Sequence, residues 1–219
     1  MKRLVYVVTL VAASATTALA QDPAKAHANQ YHVLADNARV RILHVSVPAG
    51  AKNALHDHPD HVAVVLTDSS IRFTDAAGKP AESTLKKGEA LSVGAGKHAG
   101  ENIGKGPLEA IIVEFKGAPG TAAVPESRAG MNAATLVDNA RTKVVRVSAD
   151  ATFAEPAGST HDYDQVVIPL GTAGMSLTVG GKTKSAWKIG DAEFIGRGVA
   201  HESKNTSGKP VEFVIVAVK

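Results

Sequence analysis

Histidines recur in this 219-residue chain at spacings that suit a metal site. His56 and His58 lie two positions apart, which on a β-strand places both imidazoles on one face. His98 follows about forty residues later, after another short apolar run. If the two segments pair, three imidazole nitrogens converge on a plausible divalent-metal site with an open position. The alternative is a hydrogen-bonded polar lining without metal.

The C-terminal half carries a second, less complete set. His161 aligns with His56 and His201 with His98, whereas Tyr163 stands in the place of His58 and Gln165 lies close by. Two histidines alone hold a divalent metal weakly. We therefore expect either a poorer metal site, completed by Tyr163 or Gln165, or a copy whose role is structural.

These histidines belong to an internal repeat. His98 and His201 are each followed four residues later by Asn and then by a proline and an apolar run, at an offset of 103. The same repeat relates further segments: Asn37–Arg39 to Asn139–Arg141, and Leu85–Gly88 to Trp187–Gly190. We predict two copies of one unit, over 27–117 and 131–219, joined by a Gly-, Ala- and Pro-rich linker at 118–130.

The segments that position the histidines are strand-like. Apolar runs such as Val62–Leu66 and Val214–Val218 are β-branched and too short for ordinary helices. Gly180-Gly181 is typical of a tight hairpin, and turn signals recur every eight to twelve residues. No long, well-capped amphipathic helix is indicated, so the fold class is all-β, a sandwich or barrels.

Residues 1–20 have the form of a secretory signal peptide: a basic start, a short apolar run and Ala18-Leu-Ala20 before Gln21. An N-terminal membrane anchor is the alternative. Export implies a secreted protein, in the bacterial periplasm. Removal of Lys2 and Arg3 lowers the formal net charge from +3 to +1, and no basic patch or second long apolar run is left. Neither a nucleic-acid partner nor a membrane is therefore expected for the mature chain.

The chain contains no cysteine. This excludes thiolate metal sites, cysteine nucleophiles and iron–sulfur clusters. Any metal must be held by His, Asp, Glu, Tyr or backbone oxygens.

The motifs around the histidines resemble the two signatures of the cupins. Matching residues are Gly50, His56 and His58 for the first signature, Gly88, Gly94, Gly96, His98 and Asn102 for the second, and Gly190, Gly196, Gly198, His201 and Asn205 for the second in the other copy. The chain is similar to a secreted bacterial bicupin with two cupin_2-like conserved barrels. The resemblance implies two tandem cupin barrels of the double-stranded β-helix, or jelly-roll, type.

The resemblance also implies a divalent metal, either Fe, Mn, Zn, Cu or Ni, bound best in the first copy. Val62 and Ala63 stand where the family has a glutamate ligand. Three neutral imidazoles would leave the full charge of the ion, which favours a small anionic ligand or an ionised water. Asp60 or His61 is a candidate fourth ligand if Pro59 kinks the strand.

Cupins of this kind imply a metal-dependent enzyme, dioxygenase-like or isomerase-like, acting on a small molecule. No catalytic residue is assigned, although Glu101 and Glu202 are candidates for a general base. The alternative is a non-catalytic module that binds a metal or a small ligand, and a structural or assembly role is a third possibility. A homodimer is expected from the resemblance only.

Overall fold

The computed structural model describes residues 21–125, 128–172 and 174–219. The predicted signal peptide, 1–20, lies outside them. In the described ranges one short helix, α1 (Pro23–Ala26), precedes eighteen strands, and none of the helical structure there is long and apolar enough to cross a membrane.

The first half of the chain folds into two antiparallel sheets. Its strands are β1 (Tyr31–Asp36), β2 (Val40–Val47), β3 (Lys52–His58), β4 (His61–Val65), β5 (Ser69–Asp75), β6 (Pro80–Leu85), β7 (Ala90–Val93), β8 (Gly96–Asn102) and β9 (Leu108–Phe115). The sheets have the orders β1-β2-β9-β4-β7 and β3-β8-β5-β6.

The second half repeats this arrangement strand for strand. Its strands are β10 (Met131–Asp138), β11 (Thr142–Ala149), β12 (Ala154–Ser159), β13 (Asp164–Pro169), β14 (Met175–Val179), β15 (Lys182–Lys184), β16 (Glu193–Ile195), β17 (His201–Asn205) and β18 (Val211–Val218). The sheet orders are β10-β11-β18-β13-β16 and β12-β17-β14-β15. The predicted all-β fold with two jelly-roll units is confirmed. The strands of one unit precede the predicted linker, and those of the other unit follow it.

Alternation along the strands separates the interior of each barrel from the contact between barrels. On β2, Leu43, Val45 and Val47 point into the first barrel, whereas Val40 and Ile42 pack against the second. The facing residues of the second barrel include Val144 and Val216. The two five-stranded sheets therefore bury a common apolar layer, which fixes one barrel against the other.

Reciprocal ion pairs close the edges of this layer. Arg39 of the first barrel donates to Asp164 of the second at 2.7 Å, and Arg141 of the second contacts Asp60 of the first at 3.2 Å. The second carboxylate oxygen of each aspartate accepts a backbone N–H, from Arg197 and Ala95 respectively. Asp60 is thus committed to the contact between barrels.

The repeated asparagines hold turns, as their position predicts. Buried Asn102 donates to the carbonyls of Val47 and Gly106 and accepts from the N–H of Gly104. Asn205 makes the equivalent bonds to Asp150 and Lys209. Each asparagine satisfies backbone groups that the turn would otherwise leave without partners.

Two glycines let the barrels approach closely. Gly190 has φ +93°, and a Cβ there would lie 2.7 Å from the ring of His44 in the other barrel. Its counterpart Gly88 has φ +83° and would meet Arg146 at 2.8 Å. His44 is itself held by Glu109 at 2.6 Å, so the ring has little freedom to move aside.

We expect Gly190→Ala to destabilise the protein more than Gly78→Ala does. Gly78 has φ +82° with open space around it, so its substitution should cost only the left-handed backbone strain, about 1–2 kcal/mol. Gly190→Ala should add about 1–3 kcal/mol because His44 must be displaced. The free energy of unfolding from chemical denaturation measures both. Equal losses would show that the glycine contact does not contribute to holding the barrels together.

Candidate metal centre

The structure brings the three histidines of the first copy together. β3 carries His56 and His58 on one face, and the strand register places His56 directly opposite His98 on β8. The candidate ligand nitrogens of the three residues all lie within 4.8 Å of one another. The convergence predicted from their spacing is therefore found.

A buried carboxylate orients His58. Its Nδ1 donates to Glu114 Oε1 at 2.6 Å, and Glu114 Oε2 accepts from Arg41 Nε at 2.5 Å. Arg41 in turn contacts Asp22 at 2.7 Å, so the charges alternate along the chain of contacts. Because Nδ1 carries the proton, the lone pair of His58 Nε2 faces the other histidines. This Nε2 is buried and has no hydrogen-bond partner among the described residues.

His56 is oriented in the same sense. Its Nδ1 donates to the carbonyl of Ala54 at 2.8 Å, which leaves Nε2 without a proton. The hydroxyl of Tyr31 lies 3.3 Å from this Nε2 and covers the site from β1. Local backbone and a neighbouring strand thus aim two unprotonated nitrogens at one point.

Burial holds His56, His61 and His98 neutral. Burial lowers the pKa of His56 to about 4, and burial with the neighbouring histidines lowers the pKa of His98 to about 3. Burial also lowers the pKa of His61. Burial raises the pKa of the Glu114 carboxyl, but its bonds to His58 and Arg41 outweigh this and bring the pKa below its usual range. At neutral pH His56 and His98 therefore offer neutral imidazoles, and an ionised carboxylate stands behind His58, as metal binding requires.

His61 lies beside the trio without joining it. Its ring centroid is 4.8 Å from that of His58, and its Nδ1 donates to the Pro59 carbonyl at 2.9 Å. It lines the cavity described next. The general-base candidates neither line this cavity nor belong to a ligand cluster: Glu101 pairs with Arg72 at 2.7 Å and Glu202 with Lys204 at 2.9 Å.

A cavity of about 550 Å³ occupies the first barrel and reaches His98 and His61. Its walls are mainly aliphatic and aromatic side chains, among them Leu85, Ala110 and Phe73. The residues with polar groups in the lining are Tyr31, Asn53, His61, Asp75, Lys79, Lys97 and His98, of which Asp75, Lys79 and Lys97 are exposed. Size and lining are those of a small-molecule site.

The second barrel brings a different set together. Glu155 on β12, His161 and His201 present ligand atoms within 4.8 Å of one another. The register places Ser159 opposite His201, as His56 lies opposite His98. The alignment of His161 with His56 was therefore wrong by two residues: Ser159 lies at the position of His56, and His161 follows Ser159 by two residues as His58 follows His56.

An arginine from the segment before β10 enters this second set. Arg128 Nη1 donates to Glu155 at 2.7 Å, and Nη2 donates to the Tyr163 hydroxyl at 2.5 Å and to Gln165 at 3.1 Å. Tyr163 and Gln165, expected as possible metal ligands, thus hold a guanidinium. Burial raises the pKa of the Glu155 carboxyl, but His161, Arg128 and Ser203 reverse the shift and lower that pKa to about 2.

The interior of the second barrel is filled. Its cavities measure about 20 Å³ each. Trp187 stands at the position that Leu85 has in the first copy. Phe213 stands at the position of Ala110, because it pairs with Pro169 as Ala110 pairs with Val65. These larger side chains occupy the volume that is open in the first barrel.

Sequence reasoning missed four residues of these sites. Glu114 had a signal, because it is the one acidic residue in the apolar run Ile111–Phe115. Tyr31, Glu155 and Arg128 had none, since they reach the histidines only through the tertiary fold.

Comparison with known proteins supports the fold. No protein-family model matches the chain, and no curated protein matches it. Among solved structures, AerE from Microcystis aeruginosa has a TM-score of 0.67 at 11% identity, covering 87% of this chain and 97% of its own. Salicylate 1,2-dioxygenase from Pseudaminobacter salicylatoxidans has a TM-score of 0.63 at 11% identity, covering 85% and 76%. A cupin 2 conserved barrel domain protein from Leptotrichia buccalis has a TM-score of 0.58 at 13% identity, covering 86% and 88%.

Identities this low establish the fold and not the reaction. Each half contains the same pair of sheets, and the solved cupin structures are similar to this arrangement over most of the chain. The chain has the cupin fold, as two barrels in tandem.

Proposed function

We propose that this protein is an exported, periplasmic cupin that binds one divalent metal in its first barrel and acts there on a small, largely apolar anion as a metal-dependent oxygenase. The observation that carries the proposal is the His56–His58–His98 cluster, whose member His98 lines a cavity of about 550 Å³. Export rests on the form of residues 1–20.

The residues present fit a divalent metal. Three imidazoles, two of them with protonated Nδ1 atoms directed away from the site, are a donor set that Fe, Mn, Zn, Cu and Ni accept. The buried Nε2 of His58 needs a partner, which a metal would supply. When bound, such an ion would supply Lewis-acid or redox chemistry at positions that the histidines leave open.

The chain's own residues define the ligand. The apolar wall of the cavity keeps water away from a bound ligand, except at the part of the ligand that faces the histidines. Lys97 and Lys79 line the same cavity with exposed side chains, and together they outweigh the one lining carboxylate, Asp75, so the lining suits a carboxylate ligand. The structural neighbour named for salicylate, an aromatic carboxylate, is consistent with an apolar anion of this kind.

We expect the purified protein to bind one metal through this cluster. His56→Ala and His98→Ala should each weaken binding by more than the roughly 10–100-fold that loss of an outer hydrogen-bond partner costs. Elemental analysis and calorimetric titration with Mn²⁺, Fe²⁺ and Zn²⁺ measure this. His32→Ala, at an exposed histidine, is the matched control. A wild type that takes up none of these ions would sink the proposal.

The oxygenase assignment is tested separately. Iron-loaded protein should consume O₂ with some members of a panel of aromatic and aliphatic carboxylates, and His98→Ala should not. Retained metal with no consumption across the panel would contradict the enzyme and support a binding module instead.

Glu114→Gln should weaken metal binding by roughly 10–100-fold, because an amide cannot support His58 with a negative charge. Glu109→Gln removes a carboxylate that contacts His44 at 2.6 Å in the contact between barrels, and should leave metal affinity unchanged. Titration calorimetry on both variants provides the comparison. Equal affinities for the two would show that Glu114 has no part in the metal site.

Ala110→Phe should fill the first cavity as Phe213 fills the second. We expect binding of 8-anilinonaphthalene-1-sulfonate, an amphipathic aromatic anion, to weaken at least about tenfold, while metal content stays the same. Ala118→Phe adds the same ring at an exposed position and serves as control. Leu85→Trp is a second filling variant if Ala110→Phe fails to fold. Undiminished dye binding in the folded variants would place the ligand outside the cavity.

A further inference from the structure

The side chain of Arg128 lies inside the second barrel, where the first barrel has its cavity. Its guanidinium donates to Glu155, Tyr163 and Gln165, which come from two different segments of that barrel. The residue also lines both small cavities that border this set. Arg128 therefore donates to three oxygen atoms beside the histidines of the second barrel, and its positive charge is part of that site.

We propose that the guanidinium of Arg128 is the resident cation of the second barrel and keeps a divalent metal from Glu155, His161 and His201. The site then has the ligand types of a metal site, but the chain itself fills it with an organic cation. This proposal does not depend on metal binding in the first barrel.

The charges around Glu155 support this. Its Oε1 accepts from Arg128 at 2.7 Å and its Oε2 from the Ser203 hydroxyl at 2.7 Å, so both oxygens are engaged. The guanidinium already neutralises the only carboxylate of the set. A divalent ion added beside it would meet a fixed like charge in a buried setting, where water screens poorly.

The first barrel differs in this respect. Its arginine, Arg41, contacts the far oxygen of Glu114, and Glu114 stands between it and His58. Arg41 is further compensated by Asp22. No cationic side chain among the described residues hydrogen-bonds a member of the first histidine cluster, so the place of the metal is left free of positive charge.

Space supports the same conclusion. Cavities of about 20 Å³ admit little more than one water molecule, and none of the volume next to Arg128 would hold a substrate. A metal in this barrel would have no cavity in which a small molecule could reach it. An internal cation satisfies the buried carboxylate without creating open positions.

Removal of the guanidinium should uncover the metal site. The Nε2 atoms of His161 and His201 lie 3.4 and 3.6 Å from Glu155 oxygens, and neither has a hydrogen-bond partner among the described residues. Without Arg128, two imidazoles and one ionised carboxylate face one another. Such a set binds divalent transition metals.

The experiment counts Co²⁺ ions per chain by elemental analysis and visible absorption in six proteins. These are the wild type, Arg128→Met, Arg128→Lys, His201→Ala, and Arg128→Met combined with either His98→Ala or His201→Ala. Arg128→Met keeps much of the side-chain volume and removes the charge, whereas Arg128→Lys keeps the charge. We expect Arg128→Met to bind one ion more than the wild type and Arg128→Lys to match the wild type. Arg128→Met combined with His98→Ala should keep the added ion, and Arg128→Met combined with His201→Ala should lose it.

The outcomes separate this proposal from the one on the first barrel. A wild type without metal and an Arg128→Met variant with one ion would refute the first-barrel site and support the arginine. Two ions in the wild type, one of them lost in His201→Ala, would overturn the arginine proposal. So would a folded Arg128→Met variant with no added ion. Should Arg128→Met not fold, Arg128→Gln gives the same count.

Discussion

A carboxylate buried in a β-barrel must be neutralised inside that barrel, and both halves of this protein are organised around that requirement. In the first, Glu114 is compensated by Arg41 behind it, and so acts on His58 as a hydrogen-bond acceptor. In the second, Glu155 is compensated by Arg128 beside the histidines themselves. The side from which the cation approaches decides whether the space between the histidines is free.

The duplicated scaffold makes this contrast possible. The apolar layer between the five-stranded sheets and the reciprocal pairs Arg39–Asp164 and Arg141–Asp60 hold the barrels together, and neither depends on the histidines. Ala217 pairs with Lys143 as Glu114 pairs with Arg41, so the second copy lacks the supporting carboxylate at that position. The carboxylate of the second copy, Glu155, lies on β12 opposite Ser203. This is the position that Asn53 has on β3, opposite Gly100. The acidic group has thus changed strand while the fold has stayed the same.

Much of the fold and part of the site follow from local features of the sequence. The spacing of His56 and His58, and the turns held by Asn102 and Asn205, depend on residues close in sequence. Glu114 reaches His58 across 56 residues, and Arg128 enters from a segment without periodicity, so neither contact can be read from a local pattern. The alignment of His161 failed for a related reason. Ser159, and not His161, lies opposite His201, and the bulge in β12 that sets this register is not marked in the sequence.

The interior volumes complete the argument for unequal barrels. A histidine cluster is chemically useful only where a ligand can reach it, and the small side chain of Ala110 and the modest one of Leu85 leave that room in the first barrel. Trp187 and Phe213 remove it in the second, where the indole N–H also bonds to the Met175 carbonyl at 2.9 Å. Close packing and an internal cation suit a barrel whose task is stability. The second barrel can therefore bury one face of the first without needing a chemistry of its own, whereas the large cavity and the chain of charges through Glu114 are found in the first.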